Sequence, residues 1–313
     1  SRLLPDPVMT AARRQFQLIN DPRDASPSWD AVRTGLREAD AAICTLTDRV
    51  DATMLAEATR LKILANYAVG YNNIDLAAAK ARGIVVTNTP DVLTDATADL
   101  TWALLLAVAR RVAEGDAYVR SGDWSGWAPT QMLGTDVAGK TLGIVGMGRI
   151  GQAVAQRATG FNMRIRYTSR TGTALDQLPS HWESRTLPDL LQDADFVSLH
   201  VPLNHATHHL IGARQFALMK PTAYLINTAR GPVIDEAALV DALLQRRLAG
   251  AGLDVFEQEP AFHPSLRELR QVVLLPHLGS ATLATRVRMG MICLENIAAV
   301  MAGKPAPNQV QLA

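Results

Sequence analysis

Short apolar runs alternate with stretches of helical period along most of this chain. β-rich runs fall at Ala41-Ala42-Ile43-Cys44, Leu61-Lys62-Ile63-Leu64 and Ile84-Val85-Val86-Thr87. A second set begins at Thr141 and continues through Met163–Tyr167, Phe196–Leu199, Ala223–Asn227, Ala251–Val255 and Val272–Leu275. Between the sets a long helical stretch is expected from Thr97 to Arg120, with Leu100, Leu104, Ala107, Val108 and Val112 at helical spacing. Strands that alternate with helices predict an α/β chain with parallel sheets.

One junction in this pattern carries chemistry. Leu142-Gly143-Ile144-Val145 runs into Gly146-Met147-Gly148-Arg149-Ile150-Gly151, and an amphipathic helix follows through Ile150, Val154, Ala155 and Ala158. A strand, a Gly-x-Gly-x-x-Gly turn and a helix form the arrangement a dinucleotide needs. Gly146 permits the tight turn, Gly148 lets the backbone approach a pyrophosphate, and Gly151 allows close helix–strand packing. The helix N-terminus adds a partial positive charge. The motif sits in mid-chain. A cofactor domain over residues 96–283, inserted into a substrate domain of residues 1–95 and 284–313, accounts for that position. The expected architecture is two doubly wound parallel-sheet domains, a Rossmann domain inside a flavodoxin-like one.

The end of the next strand bears on which dinucleotide. NAD sites place Asp or Glu about 20 residues beyond the glycines, against the ribose hydroxyls. Here the chain reads Thr168-Ser169-Arg170-Thr171, with no acid. Ser169, Arg170 and Thr171 suit a 2′-phosphate, a guanidinium against a dianion with hydroxyls beside it. This turn favours NADP, with NAD as the alternative.

Composition narrows the class. The chain has 313 residues, 48% hydrophobic, with 31 Lys and Arg against 30 Asp and Glu. It carries no basic stripe and no block of like charge, so a nucleic-acid partner is not expected. The apolar stretch Trp102 to Ala109 is too short to span a membrane. Two cysteines, Cys44 and Cys293, make no disulfide framework, and a cytoplasmic location is expected. No secretory signal leads the chain as given, and Ser1 in place of Met leaves its true N-terminus open.

Three ionisable residues follow strands of the second set: Arg230 in Asn227-Thr228-Ala229-Arg230-Gly231, Glu259 in Asp254–Pro260, and His277 in Pro276-His277-Leu278-Gly279-Ser280. Ligands of open α/β sheets bind beyond the carboxyl ends of the strands, so the three can form one acid–base set. Each also has a plainer reading, as a surface arginine, a solvated loop acid and a loop histidine. His205, His208 and His209 lack any zinc-type context and read as solvated loop residues.

On these motifs, together with Ala68-Val69-Gly70-Tyr71-Asn72-Asn73-Ile74-Asp75 and Pro202-Leu203, the chain resembles the D-isomer-specific 2-hydroxyacid dehydrogenase family. Within it the chain is similar to the glyoxylate/hydroxypyruvate reductases. The resemblance implies catalytic roles for Arg230, Glu259 and His277, and it puts the Val69 and Gly70 amides on the substrate carboxylate. It implies cofactor contacts at Thr97, Arg149, Ile150, Val201, Pro202, Thr207, Thr228, Ala229, Arg230, His277 and Gly279. Asp254 is similar to the residue that holds the nicotinamide carboxamide in relatives, although a loop cap would also explain it. The resemblance further implies a homodimer, with a dimerisation arm at about residues 100–135. Trp124 and Trp127 in that arm either reach the partner or form a local lid. Glu259 stands where the related formate dehydrogenases carry Gln.

The chemistry expected is NADPH-dependent reduction of a small 2-oxo acid, glyoxylate or hydroxypyruvate. His277 would protonate the carbonyl oxygen as hydride reaches the carbonyl carbon, Arg230 would hold the carboxylate and polarise the carbonyl, and Glu259 would fix the imidazole. No metal is required, because Arg230 supplies the electrophile. Which 2-oxo acid fits depends on the cleft around Leu46, Asn72 and Met132. An NAD-dependent D-2-hydroxyacid or phosphoglycerate dehydrogenase is the nearest alternative, although the Val69–Asn73 loop supplies no cation for a phosphate. An NAD(P)-sensing binding protein of the corepressor type is the alternative from another class.

Overall fold

The computed structural model describes residues 2–19, 27–169 and 178–311. The chain divides into two compact units, Ser1–Leu93 with Ser280–Ala313, and Thr94–Gly279. The first unit contains α1 (Asp6–Gln15), α2 (Trp29–Glu38), β1 (Ala41–Cys44), α3 (Ala52–Glu57), β2 (Ile63–Asn66), α4 (Leu76–Ala81) and β3 (Val85–Thr87). The second opens with α5 (Thr94–Ala109) and α6 (Val112–Arg120), then β4 (Thr141–Val145), α7 (Arg149–Ala158), β5 (Arg164–Thr168) and β6 (Glu183–Ser184). It continues with α8 (Leu187–Asp193), β7 (Phe196–Leu199), α9 (Ala213–Phe216), β8 (Tyr224–Asn227), α10 (Glu236–Leu244), β9 (Gly250–Leu253) and β10 (Val272–Leu274). The chain then re-enters the first unit as α11 (Leu283–Met301).

In the first unit three strands form a parallel sheet in the order β1-β2-β3. All four residues of β2 are buried, as a central strand covered on both faces requires. Leu64 packs with Met54, Leu55 and Val86, while Ile63 and Ala65 pack with Cys293 and Ile297 of α11. Side-chain caps start the helices: Ser28, Asp51, Asp75 and Thr282 each accept a backbone amide of the first turn.

The second unit is a seven-stranded sheet in the order β10-β9-β8-β7-β4-β5-β6, parallel throughout. Side chains alternate across it with the two-residue period of a strand. Leu142, Ile144, Phe196, Tyr224 and Ile226 join α5 and α7, where Leu104, Leu105, Val154 and Ala155 complete one core. Val145, Val197, Leu199 and Leu225 face the other way, onto Leu190, Leu191, Phe216, Leu239 and Leu243 of α8, α9 and α10. The sheet is therefore covered on both faces, and its loops at the carboxyl end are the part left to hold a ligand.

The helical stretch expected from Thr97 to Arg120 is made of two helices, α5 and α6. Arg111 takes the left-handed conformation, φ 54°, and begins α6 with its guanidinium paired to Glu114 at 2.9 and 2.7 Å. Thr135 donates to the Ala109 carbonyl at 2.8 Å, so the returning chain satisfies the end of α5. Among the described residues no helix is long and apolar enough to cross a membrane.

Candidate active site

The turn after β4 has the geometry that the sequence motif requires. Gly146 has φ 101°, and a Cβ there would stand 2.7 Å from the His200 carbonyl oxygen. A Cβ on Gly151 would lie 2.2 Å from the Gly146 carbonyl oxygen, so only glycine lets α7 start this close to β4. At Gly148 a Cβ would meet open space, which leaves the backbone approachable from outside. The sheet order reverses at β4, with β5 on one side and β7 on the other, and the glycine turn lies at that switch point. Arg149 and Ile150 form the first turn of α7, whose end carries the helix's partial positive charge. These features fit a pyrophosphate-bearing cofactor.

Thr168 closes β5, and Ser169 beyond it is exposed. No acid stands at either position. Arg170 and Thr171 lie outside the described residues.

The loops after β8, β9 and β10 bring together Arg230, Glu259 and His277. Asn227, fully buried at the end of β8, folds its own loop: its Oδ1 accepts from Ala229 N at 3.0 Å and its Nδ2 donates to the Arg230 carbonyl at 3.0 Å. Thr228 is buried beside Thr101; Thr101 donates to the Thr97 carbonyl at 2.8 Å, so Thr228 donates to Thr101 Oγ1, also at 2.8 Å. Arg230 thereby leaves a fixed loop. Burial lowers its guanidinium from the ordinary value, and the charge of Glu259 opposes that effect.

His277 Nδ1 and Glu259 Oε2 are 2.8 Å apart. Burial works against ionisation of Glu259, but the hydrogen bond and charge of His277, the Phe256 amide and Arg230 together hold its carboxyl below the usual range. An ionised carboxylate only accepts, so Nδ1 carries the proton. Among the described residues Nε2 has no partner. His277 itself is held at φ 56°, a conformation that non-glycine residues seldom adopt and that gathers at functional sites.

Asp254, fully buried after β9, accepts from Leu278 N at 2.6 Å and Gly279 N at 2.8 Å. Burial raises its pKa, against the two amides and the charge of His277. Both carboxylate oxygens thus cap the loop that carries His277. Thr97 is buried and donates to the Gly279 carbonyl at 3.0 Å. Val201 and Pro202 follow His200 past β7, and the Thr207 hydroxyl donates to the Pro202 carbonyl at 2.6 Å, closing their turn.

In the first unit the Val69–Gly70 loop follows β2. Asn66 Nδ2 donates to the Gly70 carbonyl at 2.8 Å and Asn88 Nδ2 to the Val69 carbonyl at 2.9 Å. Among the described residues the amides of Val69 and Gly70 have no acceptor, so both carbonyls are fixed while both donors remain open.

Several positioning residues escaped the sequence reading. Asn66, Asn88 and Asn227 act through side-chain amides, and His200, pushed by burial down to about 3, is neutral and hydrogen-bonded to Ser198 Oγ at 2.8 Å. The common signal is a polar residue at or just after the end of an apolar strand. His209 is an exposed loop residue, as expected, and its Nε2 meets Glu257 Oε1 at 2.7 Å while its ring contacts His208. Trp124 and Trp127 remain exposed within this chain, at 52% and 82%. No group of His, Cys, Asp or Glu among the described residues is placed to hold a metal ion.

The fold and the glycine turn define a dinucleotide-binding α/β chain, and comparison with known proteins places it more closely. Residues 102–279 match the family model of the D-isomer specific 2-hydroxyacid dehydrogenase, NAD binding domain. The glyoxylate reductase of Thermococcus litoralis is 51% identical over 300 residues, 95% of this chain and 90% of that one. Among solved structures, the TT0316 protein from Thermus thermophilus superposes with a TM-score of 0.93 at 46% identity, over 99% of this chain and 98% of that one. An NADPH-dependent glyoxylate/hydroxypyruvate reductase from Sinorhizobium meliloti, in complex with NADP and malonate, has a TM-score of 0.88 at 33% identity, over 99% and 94% of the two chains. The chain belongs to the D-isomer specific 2-hydroxyacid dehydrogenase family, and it is a nicotinamide-dependent oxidoreductase.

The depressed pKa of Glu259 has a signature in stability. A carboxyl lowered on folding stabilises the native state fully above its unfolded pKa, and that contribution is lost as pH falls through the lower folded value. Glu259→Gln is therefore expected to destabilise at neutral pH, with a deficit that shrinks through the acidic carboxylate range. Denaturant titrations of both proteins across that range check this, and a deficit independent of pH would contradict it.

Proposed function

We propose that this protein reduces small 2-oxo acids, glyoxylate or hydroxypyruvate, to the corresponding 2-hydroxy acids, with NADPH as preferred cofactor and His277 as proton donor. The observation that carries this reading is the His277–Glu259 pair beside Arg230: one imidazole nitrogen is fixed at 2.8 Å from a carboxylate, and the other is open. When bound, the nicotinamide supplies hydride to the carbonyl carbon. Negative charge then grows on the carbonyl oxygen, where Nε2–H of the imidazolium delivers its proton. Glu259 favours that charged ring and sets its orientation. Arg230 holds the substrate carboxylate and polarises the carbonyl through its planar fork. The open Val69 and Gly70 amides are proposed to bind a substrate carboxylate. Relatives named glyoxylate reductase support the substrate class.

The glycine turn, with Arg149 and Ile150, is proposed to hold the pyrophosphate. Thr97, Val201, Pro202, Thr207, Thr228, Ala229 and Gly279 would shape the rest of the cofactor site. Asp254, which holds the His277 loop, is proposed to meet the nicotinamide carboxamide as well. Preference for NADP is supported by the missing acid at Thr168 and Ser169, and by the NADP complex of the Sinorhizobium meliloti relative. A homodimer is proposed on the exposed arm, where Trp124, Trp127 and Leu133 are exposed beyond α6, itself a helix with no buried residue. A cytoplasmic location is part of the same reading, consistent with two free cysteines.

His277→Ala is expected to lower kcat for glyoxylate reduction about 10²–10⁴-fold, the range for a positioned acid. Arg230→Lys keeps the charge but loses the fork, and both KM and kcat are expected to worsen. Near-native kinetics in either variant would remove that residue from the chemistry.

For the cofactor, one charge-assisted phosphate contact of about 1.5–3 kcal/mol corresponds to a ten- to hundredfold preference for NADPH in kcat/KM. Arg170→Ala is expected to raise KM for NADPH and spare NADH, and Thr168→Asp to shift preference toward NADH. Equal kcat/KM for the two cofactors in the parent protein would overturn this part of the reading. Sedimentation at micromolar concentration is expected to give twice the chain mass, and Trp127→Glu to shift it toward the monomer; a parent protein that sediments as a monomer would exclude the dimer.

A further inference from the structure

Glu236, the first residue of α10, is only 8% exposed, an uncommon place for a carboxylate. Its oxygens are both turned to one loop. Oε2 accepts from the Glu257 amide at 3.1 Å, and Oε1 accepts from the His263 amide. The bond is returned by Glu236 N, which donates to Glu257 Oε2 at 3.1 Å. Glu257 Oε1 in turn meets His209 Nε2 at 2.7 Å. The two amides that Glu236 binds stand on either side of Glu259, whose other carboxylate oxygen is held by the Phe256 amide at 3.1 Å.

The charged and titratable groups around this arrangement are few. Glu236 is faced by Glu257, by His209 through Glu257, by His263, and by Asp235, which caps α10 through the Ala238 amide. Glu259 is faced by His277, Arg230 and Asp254. No cation contacts Glu236 directly among the described residues; its two oxygens accept from the two loop amides instead. A buried carboxylate that binds only the backbone of one loop serves the shape of that loop.

We propose that Glu236 is a positioning residue for the reaction: it clamps the loop before and after Glu259 and so keeps that carboxylate against His277. This inference rests on the reading of His277 as proton donor. Glu236→Gln is nearly isosteric but offers one acceptor oxygen and an amide NH₂, so one loop amide loses its partner. Glu236→Ala frees both.

The test measures kcat/KM for glyoxylate reduction by NADPH against pH in the parent, Glu236→Gln, Glu259→Gln and the double variant, with amide hydrogen exchange across 257–263. Glu236→Gln is expected to speed exchange at Glu257 or His263 and to lower kcat about ten- to a hundredfold, the scale of a misplaced catalytic group. KM for NADPH is expected to stay at the parent value. The alkaline fall of activity is expected to move to lower pH, in the same direction as in Glu259→Gln, and the double variant to be little worse than Glu259→Gln alone. Unchanged exchange, an unmoved profile in Glu236→Gln beside a shifted one in Glu259→Gln, or full additivity would each overturn the clamp. An unmoved profile in Glu259→Gln itself would instead overturn the acid–base pair, and the clamp's function with it. If Glu236→Ala fails to fold, Glu236→Gln still decides.

Discussion

Three consecutive loop amides end on one buried aspartate. His277 N donates to the Asp254 carbonyl at 2.9 Å, Leu278 N to Oδ1 and Gly279 N to Oδ2. That fastening holds His277 in the left-handed region, a conformation that costs an L-residue about 1–2 kcal/mol. A hydrogen bond contributes about 0.5–1.5 kcal/mol net, so the three amide bonds to Asp254 offset it. Thr97 ties the far end of the loop to α5 through the Gly279 carbonyl. Everything proposed for His277 depends on this arrangement, because it aims Nδ1 at Glu259 and leaves Nε2 open.

The same device recurs at the ends of other strands. Asn66 at the end of β2, Asn227 at the end of β8 and Asp254 just after β9 are each fully buried and each hydrogen-bond into the loop that follows. A covered parallel sheet provides rigid strand ends, and a polar side chain at each end converts that rigidity into loop geometry. Glu236 does the equivalent from a helix N-terminus. The groups proposed to meet the substrate are thus held by polar neighbours fixed at strand and helix ends.

Much of this was legible in the sequence. The glycine turn was readable because an apolar strand, three glycines and an amphipathic helix occur in the one order that a switch-point site uses. Arg230, Glu259 and His277 were readable as ionisable residues placed after strands with Gly or Pro beside them. Other features were not. Arg111 breaks the helical stretch in a left-handed conformation without a glycine to announce it, and the two-residue β6 has no pattern of its own. Asp254 had two readings in sequence, and only the positions of the Leu278 and Gly279 amides show what its oxygens hold. The clamp at Glu236 is invisible to periodicity, since its partners are backbone groups far along the chain.

A His277 that serves as proton donor keeps one proton on Nδ1, against Glu259, and exchanges one at Nε2. Nitrogen-15 NMR of protein labelled at histidine, with the His277 signals assigned by their loss in His277→Gln, tests this directly. The neutral ring is expected to keep its proton on Nδ1 and to lack one on Nε2. A neutral ring protonated at Nε2, with Nδ1 titrating, would contradict it.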